Sequence, residues 1–200
     1  MNRSFLIAGS ILLAAALAPV MAHADSPREF LTKALQGDNS EIMLGNMAQD
    51  RARDPGVRDY GRMLVRDHSK ARSEVLDVGA RFGLRPTREI APEARDERER
   101  LRDMHGRDFD QEFVRYMIED HRKDIGDFRD EAREHHGPVS DLAARQLPTL
   151  RQHLEMAQSL SHGGRFETRY DQRHDWQGRD HRDNDRGDNR GGGSNYGDNR

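Results

Sequence analysis

The spacing of apolar residues is the feature that most restricts the fold of this chain. Between Asp25 and Leu160, apolar side chains recur at intervals of three and four, and no extended stretch alternates with period two. Such intervals place side chains on one face of an α-helix, whereas a half-buried strand needs alternation. The chain is therefore predicted to be all-α, with each helix burying one apolar stripe.

Helix-breaking residues divide the first half of this region. Ser26 and Pro27 have the residue types of an N-cap and a first helical position, and residues 54–56 end the helix that they begin. A second helix is predicted to end at residues 83–86. The charged stretch at residues 91–104 has little apolar face, which predicts a crossover helix on the surface.

The second half has two further predicted helices. The third opens near Asp108 and ends before Pro138, with Gly137 as its C-cap. The fourth runs from about Ser140 to Leu160 with Pro148 inside it. An interior proline costs about 3 kcal/mol and kinks a helix, so we expect either a kink or a later start at Pro148, and we favour the kink. Four such helices describe an up-down four-helix bundle.

The two ends of the chain differ in character from the bundle. A positive charge at Arg3, an apolar run over residues 5–20 and a small-x-small site at residues 22–24 predict a cleavable signal peptide at residues 1–24. An uncleaved anchor is the alternative. The bundle domain is then residues 25–162, exported to a bacterial periplasm with no later transmembrane segment. Residues 163–200 are rich in Arg, Asp, Gly and Asn, which predicts a disordered tail.

Composition excludes several classes of function. The chain contains no cysteine, so disulfides and thiolate ligands are absent. Its 33 Lys and Arg against 36 Asp and Glu give a net charge of −3, with both signs interspersed. A nucleic-acid partner is not expected, because it would favour a basic stripe. The partner stays unknown; the polyampholyte tail offers a surface for weak protein contacts.

A repeated polar motif marks the predicted helices. The pattern Asp-His-x-Lys occurs at residues 67–70 and 120–123, and it places His68 and His121 in the apolar stripes of two helices. Glu41 and His153 are candidate inward polar groups on the other two. Three imidazoles and a carboxylate would suit a transition metal such as copper, zinc or iron.

The aspartates of the repeat suggest a different role. Asp67 and Asp120 lie one residue before the histidines and point about 100° round the helix, so each could bind a histidine of an adjacent helix. Such a pair would be a buried cross-brace that fixes helix register without any ligand, and we favour this interpretation. The Glu-x-x-His spacing of di-iron bundles is missing, since Val65, Ile118 and Leu150 stand three residues before the histidines.

Several ordered motifs resemble one known family. They are Glu41-Ile42-x-Leu44-Gly45, Met63-Leu64-Val65-x-Asp67-His68, Tyr116-Met117-x-x-Asp120-His121 and Leu147-Pro148-x-Leu150-x-x-His153-Leu154. Together they resemble the exported family catalogued as domain of unknown function 4142. The resemblance implies a ferritin-like bundle in a bacterial envelope compartment and carries no established activity.

Two hypotheses about function follow. No nucleophile turn or phosphate loop is recognisable, which favours a non-enzymatic envelope interaction or stress-protective protein with Asp/His braces. The alternative is a transition-metal-binding bundle that uses Glu41, His68, His121 and His153.

Overall fold

A computed structural model describes residues 26–163 of the chain. The predicted signal peptide and the predicted tail beyond Gly163 lie outside the described residues. Within them the structure consists of helices α1 Pro27–Arg51, α2 Pro55–Gly79, α3 Pro92–Arg102, α4 Gly106–Glu134 and α5 Pro138–Ser161, with a 3-10 turn at Ala80–Phe82 after α2. The prediction of an all-α helical bundle is confirmed. None of these helices combines the length and the apolar character that a membrane span requires.

Local capping signals determine where the first two helices begin. The Ser26 backbone N–H donates to Glu29 Oε2 at 2.8 Å, and the Glu29 N–H donates back to Ser26 Oγ at 3.3 Å. Pro27 follows as the first helical residue, as predicted. Asp54 caps α2 by accepting from the Gly56 N–H at 2.6 Å. These reciprocal bonds satisfy N–H groups that a helix start leaves without partners.

One boundary prediction is wrong, and one alternative that the sequence left open is excluded. Gly137 does not end the third long helix, because α4 ends at Glu134 and Gly137 is the N-cap of α5, with φ of 120°. Pro138 is the reason: proline has no N–H to lose and suits the first helical position, so the Gly-Pro pair belongs to the following helix. Helix α5 also continues through Pro148, which excludes a later start there.

The charged crossover helix is more embedded than its composition indicates. Ala94 and Leu101 of α3 are fully buried, and Glu97 is 3% exposed. These positions are spaced by three and four, so one narrow face of α3 packs inward while the rest carries charge. The helix therefore lies at the surface, and it also buries one narrow face that its composition did not indicate.

The long helices pack closely as two hairpins, α1 with α2 and α4 with α5, and the hairpins approach each other less closely. Gly45 and Gly61 permit the first of these contacts. A Cβ on Gly61 would lie 2.7 Å from the Gly45 carbonyl oxygen, and one on Gly45 would lie 2.8 Å from the Gly61 oxygen. Real Cβ atoms do not approach oxygen this closely, so the spacing of α1 and α2 depends on glycine at both positions.

A polar layer separates two apolar cores along the bundle. Each long helix contributes apolar residues to both cores and crosses the layer once. The buried ionisable residues at these crossings are Asp38 and Glu41 on α1, His68 on α2, His121 on α4 and His153 on α5. Buried polar groups are costly without partners, so the contacts within this layer indicate where a functional site lies.

Candidate metal centre

Three histidines from three different helices converge in the polar layer. His68 is 5% exposed, and His121 and His153 are each 1% exposed. One ring nitrogen from each lies within 4.8 Å of the others. The ring centroids are 5.2 Å apart for His68 and His153, and 5.3 Å apart for His121 and His153. The sequence could place these residues only on inward stripes; the structure brings them to one point.

The protonation of two of the rings follows from their partners. His121 Nδ1 lies 3.0 Å from the Met117 carbonyl oxygen, which can only accept, so Nδ1 carries the proton. His153 Nε2 lies 3.1 Å from Asp67 Oδ2. Burial opposes ionisation of Asp67, but hydrogen bonds from His153 and Arg66 outweigh it and lower the Asp67 pKa. Asp67 is therefore a carboxylate, and His153 Nε2–H donates to it.

These tautomers leave two lone pairs facing each other. His121 Nε2 and His153 Nδ1 are 3.2 Å apart, and in the neutral rings neither nitrogen carries a proton. Two facing acceptors at hydrogen-bond distance repel unless a proton or another cation lies between them. This contact is the least expected feature of a core that serves only for bracing.

The third ring is held by an aspartate that the sequence analysis missed. His68 Nδ1 lies 2.9 Å from Asp38 Oδ1, and both side chains are buried. His68 Nε2 has no hydrogen-bond partner among the described residues. Only its spacing in the sequence could have assigned Asp38 to the inward face, because it lies four residues after Ala34 and three before Glu41.

Burial keeps the three imidazoles neutral. It lowers the pKa of His68 and of His153 to about 4, in the second case against the hydrogen bond to Asp67. Burial, together with the neighbouring His153 and His68, holds the pKa of His121 well below its usual range. Neutral imidazoles with available lone pairs are the form in which histidine binds metal.

A second group of possible ligand atoms in the polar layer is acidic. Glu41, Asp120 and His121 each offer a ligand atom within 4.8 Å of the others, and His121 Nδ1 is 3.9 Å from Glu41 Oε1. Burial, followed by the charge of Asp120, raises the pKa of Glu41 well above its usual value. Burial and Asp120 have the same effect on the pKa of Asp124.

The predicted site residues thus fall into two groups rather than one. The three histidines form a nitrogen-rich group, while Glu41 and Asp120 form an acidic group that borders the His121 ring. The predicted aspartate braces also differ from each other. Asp67 pairs with a histidine of another helix, whereas Asp120 has carboxylate and histidine neighbours; both are only partly buried.

A cavity of about 800 Å³ adjoins the histidines. Its wall includes His68, His153, Asp120 and Asp124, and Lys70 and Lys123 also line it. The cavity gives small molecules and ions space beside the polar layer, which a fully packed core would not provide.

Fold and site together define an all-α helical bundle with a buried layer of histidines and carboxylates. The chain belongs to the family described as Domain of unknown function (DUF4142), which matches residues 13–160. The comparisons with curated proteins and with solved structures found no match. The family description assigns no activity, so function has to be argued from the geometry.

Proposed function

We propose that this protein is an exported transition-metal-binding bundle that holds one ion on His68, His121 and His153. The contact of 3.2 Å between His121 Nε2 and His153 Nδ1 carries the proposal. A cation bound by these nitrogens and by His68 Nε2 would turn facing acceptors into shared ligands. The N-terminal sequence, with its charge, apolar run and small-x-small site, supports export.

The carboxylates beside the histidines support the same assignment. Asp67 and Asp38 each contact the ring nitrogen of a histidine that would not face the metal. Such partners fix the ring orientation of metal-binding histidines, and the ionised Asp67 also fixes the tautomer of His153. Imidazole nitrogens suit zinc, copper and iron, and three protein ligands leave a fourth coordination position.

A purely structural role is the second candidate, because the same two Asp–His contacts could brace the helices alone. This role accounts for the bonds to Asp67 and Asp38 but leaves the facing nitrogens of His121 and His153 unexplained. A brace needs no ion, so the two functions predict different results when metal is added.

Metal binding by matched variants of the full chain would decide between them. We expect wild type to bind one zinc ion in competition with a chelating dye. His153→Phe should weaken that binding more than about 100-fold, which exceeds the loss of affinity usually seen when a residue that only contacts a ligand is replaced. His136→Ala removes an exposed histidine and should leave the affinity unchanged. Equal affinity for zinc in wild type and His153→Phe would refute the proposed centre.

A further inference from the structure

The acidic side of the polar layer has features that the histidine site does not require. Glu41 is 1% exposed, and neither of its carboxyl oxygens finds a hydrogen-bond partner among residues 26–163. Asp120 is a neighbouring carboxylate, and only the protonated form of Glu41 can donate a hydrogen bond to it. The Tyr60 hydroxyl is also buried and has no partner in the described part of the chain, and its pKa is raised by burial and then by Glu41. A buried carboxylate without a donor is strongly unfavourable unless it is neutralised.

We infer that Glu41 and Asp120 form a second cation subsite beside the histidine site. The inference rests on the proposed function, because the ring of His121 lies between the two subsites. Nε2 faces His153 at 3.2 Å, whereas Nδ1, whose proton goes to the Met117 carbonyl, lies 3.9 Å from Glu41 Oε1 and is not a ligand of the second cation. The result is an asymmetric two-cation centre within one polar layer.

The ligand types determine the class of cation for each subsite. Imidazole nitrogens in the histidine subsite suit zinc and copper, whereas carboxylate oxygens suit harder ions such as Mn²⁺. Mn²⁺ also binds nitrogen ligands least tightly in the divalent series. It should therefore occupy the carboxylates without displacing a tighter ion from the histidines.

Neighbouring charge favours a cation at the acidic subsite. Asp38 and Asp124 add to the acidic charge around Glu41. Lys123 lowers the pKa of Asp124 against burial and the neighbouring carboxylates, and its Nζ donates to Asp127 Oδ2 at 2.8 Å. The carboxyl oxygens of Glu41 therefore stay without a basic partner among the described residues, and a cation between Glu41 and Asp120 would relieve the repulsion of the whole group.

Spin coupling between two ions in the full chain tests the second subsite. The protein is loaded with one equivalent of Cu²⁺, and Mn²⁺ is then added while both signals are followed by electron paramagnetic resonance. We expect wild type to bind one Mn²⁺, with loss of the Cu²⁺ signal through coupling to its neighbour. Glu41→Gln should keep the Cu²⁺ signal and bind Mn²⁺ at least about tenfold more weakly, a change of about 1.4 kcal/mol.

Two controls separate the possible failures. Glu97→Gln changes another buried glutamate, which is paired with Arg100 and Arg115, and should behave as wild type. Asp120→Asn changes a partly buried residue and should give the same result as Glu41→Gln. It therefore keeps the test valid if Glu41→Gln folds poorly. An unchanged Cu²⁺ signal in wild type with saturating Mn²⁺ would overturn the second subsite alone. A Cu²⁺ spectrum unaffected by His153→Phe would instead refute the histidine centre.

Discussion

Replacement of Glu41 by glutamine should stabilise the metal-free protein at neutral pH. The side chain is 1% exposed, both oxygens lack partners among the described residues, and Asp120 repels its charge. A buried polar group without a partner costs about 1–3 kcal/mol. Glutamine has nearly the same shape, carries no charge, and its amide N–H can donate to Asp120. We therefore expect Glu41→Gln to increase the free energy of unfolding by about 1–3 kcal/mol at pH 7.5.

The stabilisation by Glu41→Gln should depend on pH, and its direction follows from the pKa of Glu41. Burial raises the pKa of Glu41 in the folded state well above the value of 4.5 that it has without the fold. The folded wild type therefore holds a proton that the unfolded chain has lost, and it loses stability as the pH rises from 4.5 through the folded pKa. The advantage of Glu41→Gln should be small at pH 4.5 and grow by up to about 1.4 kcal/mol per pH unit.

Urea unfolding followed by circular dichroism, with EDTA present, measures this difference between pH 4.5 and 8. Glu97→Gln is the matched control, and it should destabilise the protein because it removes a charge that lies 3.6 Å from Arg100 and 3.7 Å from Arg115. A Glu41→Gln protein that is less stable than wild type at pH 7.5 would contradict the reasoning. So would an advantage that does not change with pH, since a titrating carboxyl could not produce it.

Three other measurements examine different parts of the structure. Gly61→Ala should lower the free energy of unfolding by about 1–3 kcal/mol, because its Cβ would meet backbone atoms. Gly126→Ala places its Cβ in open space and should raise the free energy of unfolding by about 0.5–1 kcal/mol. Similar urea midpoints for the two variants would contradict the close packing of α1 and α2. Asp67→Asn should weaken zinc binding about 10–100-fold in dye competition, and an unchanged affinity would exclude an outer-sphere role. Zinc affinity should persist as the pH falls below 6.5 and be lost near pH 4, since burial lowers the pKa of His68 and His153 to about 4. Loss of affinity already near pH 6.5 in the same assay would indicate that exposed histidines bind the zinc.

The helices could be predicted from sequence because their signals are local. Ser26 and Asp54 cap helices through bonds to residues two or three positions away, and the apolar stripe depends only on spacing. The failure at Gly137 has the same origin. Two helices meet there with only residues 135–137 between them, so the same glycine could end one helix or begin the next. Pro138 decides the matter in favour of the second.

The contacts within the polar layer could not be predicted, because they depend on which helix lies opposite. Asp38 flanks an apolar stripe and therefore looks like part of a solvated face, yet α2 covers it and supplies His68 as its partner. Glu41 could be assigned inward from its stripe, but not to the acidic side of the His121 ring. Sequence spacing fixes a residue's position around one helix and contains no information about rotation of the neighbouring helix.

The divergence of the repeated Asp-His motif follows from this dependence. His68 lies on the second helix of its hairpin and His121 on the first helix of the other, and their acidic neighbours differ. Asp38 Oδ1 lies 2.9 Å from His68 Nδ1, whereas Glu41 Oε1 lies 3.9 Å from His121 Nδ1. Helix α5 contributes His153, and helix α1 contributes Asp38 and Glu41. One side of the polar layer is consequently rich in nitrogen and the other in oxygen, although the sequence repeat alone would make them alike. The selectivity of this bundle for cations should therefore depend on the residues of α1 and α5, and exchanging Glu41 for histidine should shift the acidic subsite from Mn²⁺ towards zinc in a competition between the two ions.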